Sequence, residues 1–157
     1  MSAPNLEDLD RQISETRKAF FEARGKLVQL AHPRNPDPDG AADGLIADAA
    51  ERGLARTLDS VLREPVLHGL DDSTPADQLT SSLGAAYAAD QALDLLMRDR
   101  NAEFLRFDPF YKPRMNLFGR DVELDYVTNR ARDLESAETY ALPDPDATKR
   151  RRREKSK

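Results

Sequence analysis

Three groupings of residues have types and spacings that invite chemistry. The loop Asn35-Pro36-Asp37-Pro38-Asp39-Gly40 places oxygen side chains at alternate positions before a glycine, and Asp43 falls at the ninth position of the same frame. That matches the start of an EF-hand calcium loop. The twelfth position is Ile46, where calcium needs a bidentate carboxylate, and two prolines stiffen the loop, so it reads as a solvated linker. His32 and His68 are the only histidines and lie in no His-x-x-x-His or Glu-x-x-His spacing, so zinc and di-iron sites lack their usual ligands. Asp90 and Asp94 stand one helical turn apart, and Asp90 falls where an apolar stripe expects leucine. A magnesium pair is one reading, and a boundary carboxylate paired with Arg or Lys is the preferred one.

The chain contains no cysteine, which excludes disulfides, thiol nucleophiles and zinc–thiolate sites. No P-loop, Gly-x-Gly-x-x-Gly or Gly-x-Ser-x-Gly is present. The all-α nucleotide pyrophosphatases resemble this chain only as acidic helical bundles. Their paired Glu-x-x-Glu and Glu-x-x-Asp units are met here by Glu135-x-x-Glu138 and Glu7-x-x-Asp10, at opposite ends and in reversed order. The expectation is therefore a non-enzyme with no cofactor and no metal, and a metal-dependent helical hydrolase ranks last. Gln91-Ala92-Leu93-Asp94-Leu95-Leu96 fits the loose sliding-clamp-binding hexapeptide, but it lies inside a strong helical pattern and is taken as chance.

Two segments point to binding instead. Phe104, Phe107, Phe110, Tyr111 and Phe118, half of the ten aromatics, fall within the fifteen residues 104–118. Pro109 and Pro113 prevent one continuous helix there. Aromatics, Met115 and Arg114 are residue types enriched at interface centres. The segment reads as a plug, a partner site or both, with Phe104 and Phe107 inward and Phe110, Tyr111 and Phe118 outward. The candidate partner-binding residues are Phe107, Phe110, Tyr111, Arg114 and Phe118. The second segment is the tail, where Lys149, Arg150, Arg151, Arg152, Arg153, Lys155 and Lys157 surround one glutamate for a balance of +6. The preceding residues balance to −11. Such a tail suits a polyanion, read through phosphates and not bases, because no aromatic is interleaved with it.

The elements that must position these groups are helical. Leu6, Leu9, Ile13, Thr16, Phe20, Ala23, Leu27 and Leu30 follow alternating spacings of three and four, a heptad seam with one polar miss. Its apolar members, Leu6, Leu9, Ile13, Phe20, Leu27 and Leu30, are candidates for self-association or for a partner helix in a coiled coil. Asn5 suits the N-cap and Pro33 stops the helix. A second helix is expected from Gly44 to Arg63, weakened at Gly53. A third should run from Thr74 as N-cap and Pro75 as first residue to Phe104. A fourth is expected from Asp121 to Thr139, with Leu124, Val127, Ala131 and Leu134 inward.

The fold expectation is all-α: an antiparallel bundle of three long helices and a shorter fourth, an irregular aromatic-rich connection, and a flexible basic C-terminal tail. Residues 1–142 form one helical domain, and 143–157 form a disordered Pro/Asp linker and tail. The N-terminus is acidic and no apolar run approaches the ~18 residues of a membrane span, so a cytoplasmic protein with no membrane contact is expected. The leading functional expectation is a protein-interaction module: an adaptor, an inhibitor or a small assembly component. The alternative is a nucleic-acid-associated protein of phage packaging, antitoxin or small-regulator type, held by its tail.

Overall fold

The computed structural model describes residues 6–125, 128, 130–134, 136 and 139–141. The chain is mostly helical, with a small antiparallel sheet after the helices. Helix α1, Leu6–Leu30, begins with Glu7 and Asp8 in its first turn, where carboxylates complement the helix dipole. Asn5, its expected N-cap, lies outside the described residues.

The Pro-Asp loop is a helix start. Asp37 caps α2, Pro38–Arg52, by accepting the Gly40 amide at 2.9 Å, and Asn35 Oδ1 accepts the Asp37 amide at 2.9 Å. Pro38 occupies the first helical position, where its missing N–H costs nothing. The remaining loop aspartates hold α2 to α1: Arg24 donates to Asp43 at 2.8 Å and to Asp39 at 3.3 Å. The oxygens that suggested calcium thus cap a helix or pair with Arg24.

The expected second helix is two. Gly53 has φ +99°, a conformation that side-chain-bearing residues rarely adopt, and it breaks the run between α2 and α3, Leu54–Arg63. A tight helical turn, Pro65–His68, follows and ends at Gly69 with φ +76°. Helix α4, Ala76–Phe107, starts one residue later than expected. Pro75 is its cap, and Thr74 instead closes the preceding turn by donating to the Asp71 carbonyl at 2.6 Å.

Helices α1 and α4 are antiparallel. Arg100, near the end of α4, donates to Asp10, near the start of α1, at 2.7 Å. The seam of α1 lies between them: Leu9, Ile13, Phe20 and Leu27 are buried, and Leu30 packs on the same core. Opposite them stand Leu79, Leu83, Ala86, Leu93 and Met97 of α4, with Leu45, Ile46 and Val61 from α2 and α3 closing the side. The small residues Ala86 and Ala89 are buried on the α4 face. The heptad seam expected to meet a second chain is therefore covered within this one. Among the described residues no helix is long and apolar enough to cross a membrane.

The expected fourth helix is not formed. The described parts of 121–139 are strands joined by turn residues, Leu134 among the latter, and Val127 lies outside the described residues. Strands β1, Arg114–Leu117; β2, Arg120–Asp125; β3, Arg130–Asp133; and β4, Thr139–Ala141, pair in chain order as an antiparallel meander. Leu117 pairs with Arg120, so Phe118 and Gly119 make a two-residue turn. Their φ values of +50° and +84° are those of a type I′ hairpin turn. Val122, Ala131 and Asp133 are buried in the sheet, and Arg120 pairs with Asp133 at 3.2 Å.

Candidate protein-interaction surface

The aromatic segment straddles the end of α4, a turn, and β1. The helix stops at Phe107, with the Asp108 amide still bonded to the Phe104 carbonyl at 3.0 Å. Asp108 then organises the turn. Its side chain accepts the Phe110 amide at 3.0 Å and its carbonyl accepts the Tyr111 amide at 3.1 Å. Pro109, between them, contributes a fixed φ.

This turn folds Tyr111 back onto the helix. The Tyr111 and Phe104 rings stack with centroids 4.7 Å apart and planes 13° from parallel. Arg100 lies 4.6 Å from the Phe104 ring centre and donates to the Tyr111 hydroxyl at 2.8 Å while holding Asp10. One guanidinium thus ties α1, α4 and the turn together. Phe118 packs on the main core, and its neighbour Gly119 presses against Phe20 and Phe21. A Cβ at Gly119 would stand 2.7 Å from the Phe20 ring. Arg17 of α1 donates to the Gly119 carbonyl at 2.7 Å, which fixes the hairpin tip on the bundle.

The division of the five aromatics differs from the one expected. Tyr111 and Phe118 face protein, while Phe107 faces out. Phe107 is 78% exposed and Phe110 is 90% exposed. Arg106 lies 5.7 Å from the Phe107 ring centre. Phe107 is the last residue of α4, one turn beyond the stacked Phe104. Arg114 is half-buried: its guanidinium meets Asp121 at 3.3 Å and its backbone is held by Asn101. The expected partner residues therefore separate into a supporting set, Tyr111, Arg114 and Phe118, and a presented pair, Phe107 and Phe110. Sequence reasoning did not single out Asn101 or Asn116, because the contacts they make arise only once β1 packs on α4, nor Arg100, whose partners Asp10 and Tyr111 are brought to it by the antiparallel helix pair and the turn.

Beside the aromatic turn, a shallow groove of about 570 Å³ runs between α4 and β1, lined by Arg98, Ala102, Leu105 and Met115. At its base Asn116 is buried and donates to Asp90 at 2.8 Å and to Asp94 at 3.0 Å. Its side-chain Oδ1 accepts the Gly119 amide at 2.8 Å. Burial pushes the Asp90 carboxyl up; the Asn116 hydrogen bond opposes the shift and the nearby Asp94 charge adds to it. The partner of this boundary carboxylate is an amide and not the Arg or Lys expected.

The histidines are held locally. His32 Nδ1 accepts the Arg34 amide at 3.0 Å. His68 Nε2 meets Ser60 Oγ at 3.2 Å, a pairing that spacing alone does not reveal. Among the described residues no carboxylate bonds the other His68 nitrogen. Among the described residues no group of three His, Asp or Glu side chains converges as metal ligands. Glu135, Glu138 and the tail residues Lys149 to Lys157 lie outside the described residues.

Comparison with family models, curated proteins and solved structures found no match for this chain.

Proposed function

We propose that this chain is a non-enzymatic interaction module, of adaptor, inhibitor or small assembly type, that binds a protein partner through Phe107 and Phe110. One observation carries the reading. Two large aromatic side chains are mostly exposed, Phe107 at the end of α4 and Phe110 on the turn after it, where Asp108, Tyr111 and Arg100 fix the backbone and the neighbouring ring. Scattered exposed apolar residues need no explanation. Exposed aromatics on a pre-ordered support are different, because little conformational entropy is lost when they dock. Aromatic anchors of this kind dominate binding energy at interface centres.

The test is a pull-down with identification of the captured proteins, repeated with Phe107→Ser/Phe110→Ser. Both changes lie in solvent, so the melting temperature should hold within about 3 °C, the scale of surface substitutions. A partner held by these rings should lose at least tenfold in affinity. Tyr111→Ser serves as the contrast, since it removes a supporting ring and should cost stability. A double variant that melts like the parent and retains every partner overturns the proposal.

A further inference from the structure

Helix α4 carries two apolar stripes. The inner one, Leu83, Ala86, Leu93 and Met97, packs in the core. The outer one is Leu95, Ala102 and Leu105, at helical spacings of seven and three. Met115 of β1 stands beside it, across the groove of about 570 Å³. Leu95, Leu105 and Met115 are all exposed. Single exposed apolar side chains are ordinary. Here six of the ten large ones exposed among the described residues fall within residues 95–117, and such a concentration marks a surface that another molecule covers.

The lining discriminates between occupants. Asn101 holds both the N–H and the carbonyl of Arg114 at the edge of the groove, so an extended segment meets no open backbone pair there. A helix needs none, because its own backbone bonds are internal. Ala102 is small and leaves room for it to lie close. The outer stripe from Leu95 to Leu105 runs about 15 Å, a length that about three turns of a second helix cover. Charge narrows the choice further. Arg98 lies in the groove between Leu95 and Ala102 and has no ion-pair partner among the described residues. Asp94, one turn earlier, is turned to Asn116 at 3.0 Å. The neighbouring cations Arg100, Arg106, Lys112 and Arg114 are each taken by a carboxylate of this chain. Arg98 is left to select a carboxylate on whatever docks beside it.

We propose that the groove between α4 and β1 receives an amphipathic helix of a protein partner, its apolar stripe on Leu95, Ala102, Leu105 and Met115 and an acidic side chain on Arg98. This rests on the reading of the chain as an interaction module and adds the form and charge of what it binds.

The experiment selects binders of the full chain from a displayed library of helix-forming peptides about four turns long. Enriched peptides should carry large apolar residues at i, i+3 or i+4, and i+7, with Asp or Glu on the flank. Their NMR footprint should centre on Leu105 and Met115. Arg98→Glu should weaken the best peptide about tenfold or more while the melting temperature holds, and replacing the peptide's carboxylate by Lys should restore binding to that variant. Leu105→Ser should weaken both. The proposal is overturned by an absence of enrichment, by enriched peptides of alternating strand pattern, or by affinities indifferent to Arg98→Glu. A dimer by light scattering that Leu105→Ser dissolves overturns it in favour of a second copy in the groove. A partner lost by Phe107→Ser/Phe110→Ser but kept by Arg98→Glu and Leu105→Ser overturns the groove alone and leaves the aromatic anchor standing.

Discussion

The carboxyl of Asp90 is buried beside a second carboxyl and held by one amide, so its ionisation works against the fold. Its folded pKa is raised by burial above the ordinary aspartate value near 4. The folded state therefore binds the proton more tightly than the unfolded chain. The resulting stability is fully present below about pH 4 and is lost as pH rises through the raised value. In Asp90→Asn the side-chain carbonyl still accepts from Asn116, and nothing titrates. The variant should gain on the parent as pH rises from about 4 through the raised value and then hold level, whatever its offset at one pH. Urea midpoints across that range measure the difference; a gap that does not change with pH defeats the assignment. The sequence shows Asp90 as a misfit in an apolar stripe. It does not show Asn116 as its partner, because that contact spans 26 residues and depends on a strand that helical periodicity hides.

Element by element, the long helices were readable and the sheet was not. The seam of α1 repeats over its whole length, and burial follows it at Leu9, Ile13, Phe20, Ala23 and Leu27. What spacing leaves open is whether the covering helix belongs to the same chain, since a heptad seam fits either. Here α4 covers it. Ile13→Asp should therefore unfold the protein by several kcal/mol, the scale of an unpaired buried carboxylate. Light scattering and circular dichroism together check this: a smaller solution mass with helicity intact would instead mark an intermolecular seam. The segment after Asp121 was misread because Leu124, Ala131 and Leu134 also fit a helical spacing. A second period was present. Val122 and Leu124 alternate with charged residues, as Ala131 does between Arg130 and Arg132. Runs of four to six residues satisfy both periods, and the deciding signal was the Phe118-Gly119 turn that pairs Leu117 with Arg120. Gly53 was seen as a weak point and proved to be a break, because its φ of +99° is outside any helix.

Across the whole molecule, charge and aromatic surface are unevenly distributed. The tail of +6 follows residues that balance to −11. If the tail engages nucleic acid, deleting Lys149 to Lys157 should abolish binding in a shift assay and leave the melting temperature unchanged. Binding by the full chain should fall by orders of magnitude between about 50 and 200 mM salt, because phosphate contacts release counterions. Binding that survives the deletion shows that the anchor lies elsewhere. The concentration of aromatics in 104–118 was legible as a place of interest. Which rings turn outward was not, since that depends on the Arg100 side chain and the Asp108 carbonyl, which hold Tyr111 against the helix while Phe110 stays in solvent.

Asn101 has a consequence for how copies of this chain could assemble. Its amide accepts the Arg114 N–H and donates to the Arg114 carbonyl, both on the side of β1 away from β2. Those are the groups through which an incoming strand would pair. A β-fibre grows without limit only when every subunit offers two open edges. An incoming strand at the β1 edge would have to displace Asn101 from Arg114. A side chain of the chain's own helix thus competes with any foreign strand for the β1 edge, and open-ended stacking through that edge is disfavoured.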